Sequence, residues 1–294
     1  MSLSRISVLA LLCAAATPAL AWQYEVAAGV AKTTSSDTDL DGLSSIAGVH
    51  YRFNDTGNTS GPLAERDFLS PSSYLELVIG NDDRDEQIYN QSASTDSDVY
   101  NLGGAWLLAD GATLVGLQYG GTRSTVEIPI WSDEYRYKDR SLEVNVVHYL
   151  ASNWSVSALY RQTSAEVTYI ESGYHYEPID MDTNTVGVAT QVLMPLQDGQ
   201  SLALSASVEH SVQSADDEDD TSANLWDAAA RYYLNTQLGL GLDLTKSSDA
   251  DDDSSLTLSV NNYFTSNWWV ELGYGKGISG SDARIIELSS GLQF

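Results

Sequence analysis

Asp37-x-Asp39-x-Asp41-Gly42 places three carboxylates at alternate positions, the spacing of the first half of a calcium loop. Such a loop needs a bidentate carboxylate at its twelfth position, and that position is Gly48, so the site is incomplete. The acidic runs 216–220 and 251–253 read as solvated loops that could hold divalent cations only weakly. No metal and no cofactor is expected. Nucleophilic chemistry finds no better support among His50, His148, His175 and His210. Only His175 falls in a long link, and its neighbours Glu171 and Ser172 have no spacing that specifies a catalytic triad, whose geometry is spatial. An enzyme is therefore not expected.

The single cysteine, Cys13, lies in a stretch that reads as a secretory signal. Arg5 supplies its positive end, Ile6 to Ala16 its apolar centre, and Ala19-Leu20-Ala21 a small-residue cleavage site. Residues 1–21 are expected to be removed, leaving residues 22–294 as one domain without thiol or disulfide chemistry. The formal net charge of the whole sequence is −27, from 41 acids and 14 bases. Such a chain repels phosphate backbones, which argues against nucleic acid as a partner. Beyond Ala21 no apolar run is long enough for a transmembrane helix.

The elements that must position any functional group have period 2. Trp22, Tyr24, Val26, Ala28 and Val30 share one face of the first segment, and similar apolar faces recur down the chain, as at Leu202, Leu204, Ala206, Val208 and at Leu238, Leu240, Leu242, Leu244. The last is Ile286, Leu288, Leu292 and the terminal Phe294. Fourteen such segments predict an all-β, antiparallel transmembrane barrel in which the first strand pairs with the last. The links alternate in kind. Those around 33–43, 81–97, 124–139, 171–182, 213–223, 247–254 and 277–282 are long and acidic, whereas Asp110-Gly111, Ser152-Asn153, Asn235-Thr236 and Ser266-Asn267 are tight turns. Long links on the outside and short turns on the periplasmic side are the pattern of a bacterial outer-membrane barrel.

The second link is long although it falls on the short-turn side. Its Gly61-Pro62-Leu63-Ala64-Glu65-Arg66-Asp67-Phe68-Leu69 resembles a segment that follows the second strand in the general bacterial porin family, with Arg66 and Asp67 standing where small residues are usual. The resemblance implies an outer-membrane β-barrel that passes small hydrophilic solutes. The segment itself reads as a packed periplasmic turn that only connects. A terminal Phe294 like that of such barrels implies recognition by the barrel-assembly machinery.

Parity then assigns the charges. Glu25, Glu76, Glu143, Glu209, Asp227, Asp243, Glu271 and Glu287 lie on the inward face with Arg52, Arg161 and Arg231, and are the expected pore-lining groups. Acids outnumber bases there, which predicts a preference for cations, with Arg231 close enough in sequence to neutralise Asp227. Between these charges the inward residues are mostly small or polar, as at Ser201, Ala203, Ser205, Gly239, Gly241, Asn261 and Gly273, too short to fill a barrel of this size, so an aqueous channel follows unless a loop plugs it. Lys32, Arg123, Lys138, Arg140, Lys246, Lys276 and Arg284 have outward parity at the long-link ends, where they could snorkel to lipopolysaccharide phosphates. Trp22, Phe53, Trp154, Trp268 and Phe294 form the opposite, periplasmic aromatic boundary. Val126 to Trp131 and Tyr174-His175-Tyr176 are candidates for a loop that narrows the pore. Two other classes fit the same pattern: a non-conducting barrel acting as adhesin or receptor, and a soluble secreted β-protein.

Overall fold

The computed structural model describes residues 24–36, 39–53, 61–88, 91–128, 133–171, 174–215, 220–248, 253–279 and 282–294. The expected signal and Trp22 lie outside them. Strands β1 (Tyr24–Ser35), β2 (Leu40–Arg52), β3 (Tyr74–Ile88), β4 (Gln91–Leu107), β5 (Thr113–Ile128), β6 (Asp133–Ala151) and β7 (Trp154–Glu171) run antiparallel, each to the next. After a two-residue strand β8 (Tyr174–His175) come β9 (Ile179–Pro195), β10 (Ser201–Ala215), β11 (Thr221–Tyr233), β12 (Leu238–Ser247), β13 (Ser254–Tyr263), β14 (Trp268–Ser279) and β15 (Arg284–Gln293). β8 merely folds back on the end of β7, and β9 takes the next full place beside β7. The result is a closed antiparallel barrel of fourteen full strands with one short extra strand.

Closure occurs where the two chain ends meet. β1 pairs with β15 from Glu25↔Gln293 to Thr34↔Arg284, and Tyr24 and Phe294 exchange both main-chain hydrogen bonds, at 3.1 and 2.7 Å. No edge is left with unpaired amides, the condition a sheet must meet in hydrocarbon. The apolar rows read from parity lie on the exposed face: Leu102, Val188, Leu258 and Leu272 are each more than half exposed. Phe53, Trp154 and Trp268 are exposed near the short turns. A periplasmic turn such as 108–113 shows how tight these connections are. Gly111 takes φ +68°, and the Asp110 carboxylate accepts from the Ala112 and Thr113 amides and from the Thr113 hydroxyl. Those hydrogen bonds hold the Asp110 carboxyl below the usual range.

Two expectations about the links need correction. The links at 81–97 and 124–139 are mostly sheet: β3 and β4 stay paired out to Ile88↔Gln91, and β5 and β6 to Ile128↔Asp133. Beyond the lipid a ladder still satisfies its amides without an apolar face, so the alternation that marks a strand disappears while the strand continues. Val126 to Ile128 therefore extend a hairpin upward rather than folding inward, and residues 129–132 lie outside the described ones. The rim is uneven as a consequence. β6 and β7 have 19 and 18 residues, β12 and β13 only 10 each, close to the ~9–11 needed for a tilted crossing.

Candidate functional site

The largest departure from the sequence reading is the segment 61–69. It does not merely connect β2 to β3: it enters the barrel and crosses the periplasmic end of the lumen. Leu63–Glu65 form one 3₁₀ turn and Arg66–Leu69 a single helical turn, α1. Gly61 is required where the segment turns in, because a Cβ there would lie 2.4 Å from Leu69 Cδ1. The Leu63 amide then donates to the Thr236 carbonyl in the β11–β12 turn at 2.8 Å. β2 and β11 lie far apart around the ring, so these attachments span the opening.

Glu65 is the centre of the plug. It is buried, and both carboxylate oxygens are engaged, Oε1 by the Tyr233 hydroxyl at 2.5 Å and Oε2 by Gln191 Nε2 at 2.8 Å. A charge-assisted pair of this kind repays the desolvation that an unpaired carboxylate could not tolerate. Phe68 packs with Leu193, Ala203 and Tyr233, while its ring lies 5.7 Å from that of Tyr149. Tyr233 fits because Gly239 faces it on β12, where a Cβ would lie 2.8 Å from the Tyr233 ring. On the near side Asp67 pairs with Arg52, which also reaches Glu25 at 3.4 Å. Glu25 in turn accepts from Trp269 Nε1 and Gln293 Nε2, which ties the plug to the closing seam.

Beyond the plug the inner wall divides into two. On β3–β10 the charges are tied to partners: Arg161 donates to Glu143 at 2.9 Å and to Glu209 at 3.4 Å, and Gln118 donates to Glu76 at 3.2 Å. On β11–β15, Asp227, Asp243, Glu271 and Glu287 are set among glycines and small hydroxyl residues, as in Gly273↔Glu287 and Asp243↔Thr257. Asp227 accepts from Ser207 at 3.1 Å and Thr245 at 2.8 Å. The expected Asp227–Arg231 neutralisation does not form; Arg231 instead reaches the Tyr233 hydroxyl and lies in the field of Glu271 and Glu65. Among the described residues no ion pair joins Asp227, Asp243, Glu271 or Glu287 to a base.

Of the seven outward bases, Lys32, Lys246, Lys276 and Arg284 lie within three residues of the extracellular ends of their strands, whereas Arg123, Lys138 and Arg140 lie five to seven residues inside the β5–β6 hairpin, which extends beyond them. Lys32 pairs with Asp41, and Arg123 stands opposite both Asp98 and Lys138. Arg140 is exposed one outward position below Lys138 on β6. Lys246 stands beside Trp226, and Lys276 directly opposes Arg284. The histidines do not converge: His50 stacks on Tyr74 with ring centroids 4.5 Å apart, His148 contacts Thr113, His210 contacts Asn224, and His175 is in β8. Among the described residues no group of three or more metal-ligating side chains forms.

Plug recognition was missed because its partners are remote in sequence; Tyr233 and Glu65 are 168 residues apart. One signal was available. Tyr149, Leu193 and Tyr233, like Tyr74, Leu114, Tyr263 and Trp269, are large residues with inward parity near the periplasmic ends, whereas the inner face of β10–β15 above them is mostly small or polar. Bulky apolar groups facing the lumen need something inside it to cover them.

A family model described as "Putative general bacterial porin" matches residues 2–294. The fold is similar to that of the outer membrane protein Omp33 of Acinetobacter baumannii, at 16% identity and TM-score 0.58, over 93% of this chain and 98% of that one. It is also similar to the CymD monoaromatic hydrocarbon channel, at 9% identity and TM-score 0.57 over 94% and 89%. The Pseudomonas putida toluene transporter TodX matches at 8% identity and TM-score 0.53, over 95% of this chain and 89% of that one. Comparison with curated protein sequences gives no match.

Proposed function

From the premise that the chain belongs to this porin family and is an outer-membrane channel, we propose that it passes small hydrophilic solutes by passive diffusion, prefers cations, and is gated from the periplasmic side by the 61–69 plug. The observation that carries the gate is Glu65, held in the lumen by Tyr233 and Gln191. The Phe68 contact and the Glu65 hydrogen bonds together hold the plug by on the order of 5 kcal/mol, before the entropy of freeing the segment is counted.

Cation preference rests on Glu25, Glu76, Glu143, Glu209, Asp227, Asp243, Glu271 and Glu287, against Arg52, Arg161 and Arg231. The acids of β11–β15 supply the larger share of the field, four against Arg231 and none of them ion-paired among the described residues, where the three of β3–β10 face Arg161, which pairs with two of them. No step of this mechanism makes or breaks a bond. The outward bases would meet lipid phosphates at the outer boundary. Support comes from Lys276↔Arg284, like charges placed directly opposite each other, an arrangement that an intervening anion relieves. Phe294 at the seam would be the group read by the assembly machinery.

The test is single-channel recording in planar bilayers, with Glu65→Ala beside the natural protein. More frequent or larger openings in the variant, with reversal potentials favouring potassium over chloride, are expected. Equal currents would remove the gate, and a chloride preference would remove the selectivity. The same plug favours a second reading, a barrel closed at rest that serves as a surface receptor; a natural protein silent under all voltages, with a silent Glu65→Ala, would favour it.

A further inference from the structure

The lipid-facing wall is not uniformly convex. A concavity of about 980 Å³ lies across β6, β7, β9, β10, β11 and β12, and most of its lining side chains have outward parity. The strand register explains it. Along one line of cross-strand neighbours, Val156, Thr190, Ala206 and Ala228 succeed one another. Ala158 belongs to the adjacent line. These short side chains form a floor. Larger groups on the same lining, Val188, Val208 and Trp226 on the adjacent line and Leu244 at the far end, stand around it.

The groove is inclined. It begins at His148, three residues from the periplasmic end of β6, and ends at Lys246, one residue from the extracellular end of β12. Six strands spaced ~4.8 Å apart make it roughly 24 Å long. With strands tilted ~35–45° it descends about 15 Å, or half of the ~30 Å hydrocarbon core. Its upper part, toward Lys246, therefore lies in the outer leaflet, and its lower part passes the midplane toward His148.

Its upper end meets positive charge. The lower line of the groove continues from Ala228↔Leu244 through Leu256 to Lys276 and then Arg284. Lys246, on the adjacent line, stands beside Trp226 at the level where an aromatic anchor meets head groups. An apolar trough that descends from the outer leaflet, with Lys246 at its rim and Lys276 and Arg284 two and three strands beyond, is complementary to an amphiphile with an anionic head.

We propose that this groove is a binding site for one phosphate-bearing outer-leaflet glycolipid, with an acyl chain along the Ala158–Ala206–Ala228 floor and its phosphate held by Lys246, Lys276 and Arg284. The inference deepens the reading of the outward bases as lipid contacts, and does not depend on what crosses the lumen. Each end of the site has its own role: the bases select the head, and the short side chains make room for the chain.

The experiment is native mass spectrometry of the detergent-purified protein titrated with diphosphoryl lipid A or with its dephosphorylated form. One tightly bound diphosphoryl molecule is expected, with at least tenfold weaker retention of the dephosphorylated form. Lys246→Ala with Lys276→Ala should weaken retention about tenfold, as should Ala206→Phe, which fills the floor. Heat-modifiable gel migration checks that each variant is a folded barrel, and Ala206→Leu replaces any that is not. Loss with the lysine variants but not with the floor variants would overturn the groove while leaving the outward bases as lipid contacts. Retention unchanged in both would overturn both readings. Cross-linking of Ala206→Cys to a second copy would assign the groove to self-association and overturn the proposal.

Discussion

The two ends of the lumen are built on opposite principles. The periplasmic end is packed like a protein interior, with Phe68, Leu193, Ala203 and Tyr233 in one cluster and Glu65 fully engaged. Toward the outside, small residues leave space and the carboxylates of one wall have no ion pair among the described residues. A continuous β-barrel can thus hold a closed core and an open vestibule together, because side-chain size on the inward parity changes along the strands. On the proposed mechanism the closed end decides whether anything passes, and the open end what is attracted.

Breaking the closed end should produce the largest effect. Phe68→Ala with Glu65→Ala removes a buried ring and the anchoring carboxylate, and single-channel recording should show at least a hundredfold rise in open probability. Truncating a buried Phe alone costs ~3–5 kcal/mol where the site cannot collapse. Barrel stability, read by heat-modifiable migration, should change little, since every strand pairing is independent of the plug.

The vestibule sharpens the comparison next. Asp243→Asn, Glu271→Gln and Glu287→Gln together should lower the potassium-to-chloride permeability ratio severalfold in a plug-opened background. Glu143→Gln should lower it less, because Arg161 retains Glu209 as a partner. Equal effects would mean that pairing on β3–β10 does not screen those carboxylates.

Removal of Phe294 should slow barrel assembly, measured as the fraction of heat-modifiable protein in the outer membrane after a pulse of synthesis. Its main-chain exchange with Tyr24 at 2.7 and 3.1 Å is lost together with its side chain. The smallest expected effect lies in the turn 108–113. Asp110→Ala should slightly weaken the folded barrel near neutral pH and abolish a small acid-dependent loss of stability. The sign follows from the depressed carboxyl: its contribution is present above the unfolded pKa of ~3.9 and is lost as pH falls through the lower, folded value. Equilibrium urea unfolding in detergent between neutral and acid pH measures it.

The strands and their register were legible because lipid imposes a strict alternation, visible at Leu238, Leu240, Leu242 and Leu244. The same alternation faded at Asp82 to Asp96, where water replaces lipid and any residue can continue a ladder, so hairpins looked like loops. Family resemblance located Gly61 to Leu69 but not its use. Glu65 has no local pattern that marks it; its partners Gln191 and Tyr233 are brought to it only by closure of the barrel. Charge pairing was not readable: Arg231 reaches Tyr233 and lies in the field of Glu271 rather than pairing with Asp227.

The gate can be tested by tethering it. No cysteine lies in residues 22–294, so Phe68→Cys with Leu193→Cys, neighbours in the plug cluster, places a single cysteine pair in the barrel. Single-channel current recorded before and after reductant then reports the plug directly. The account predicts silence when the pair is oxidised and cation-selective openings when it is reduced; equal current in the two states would contradict it.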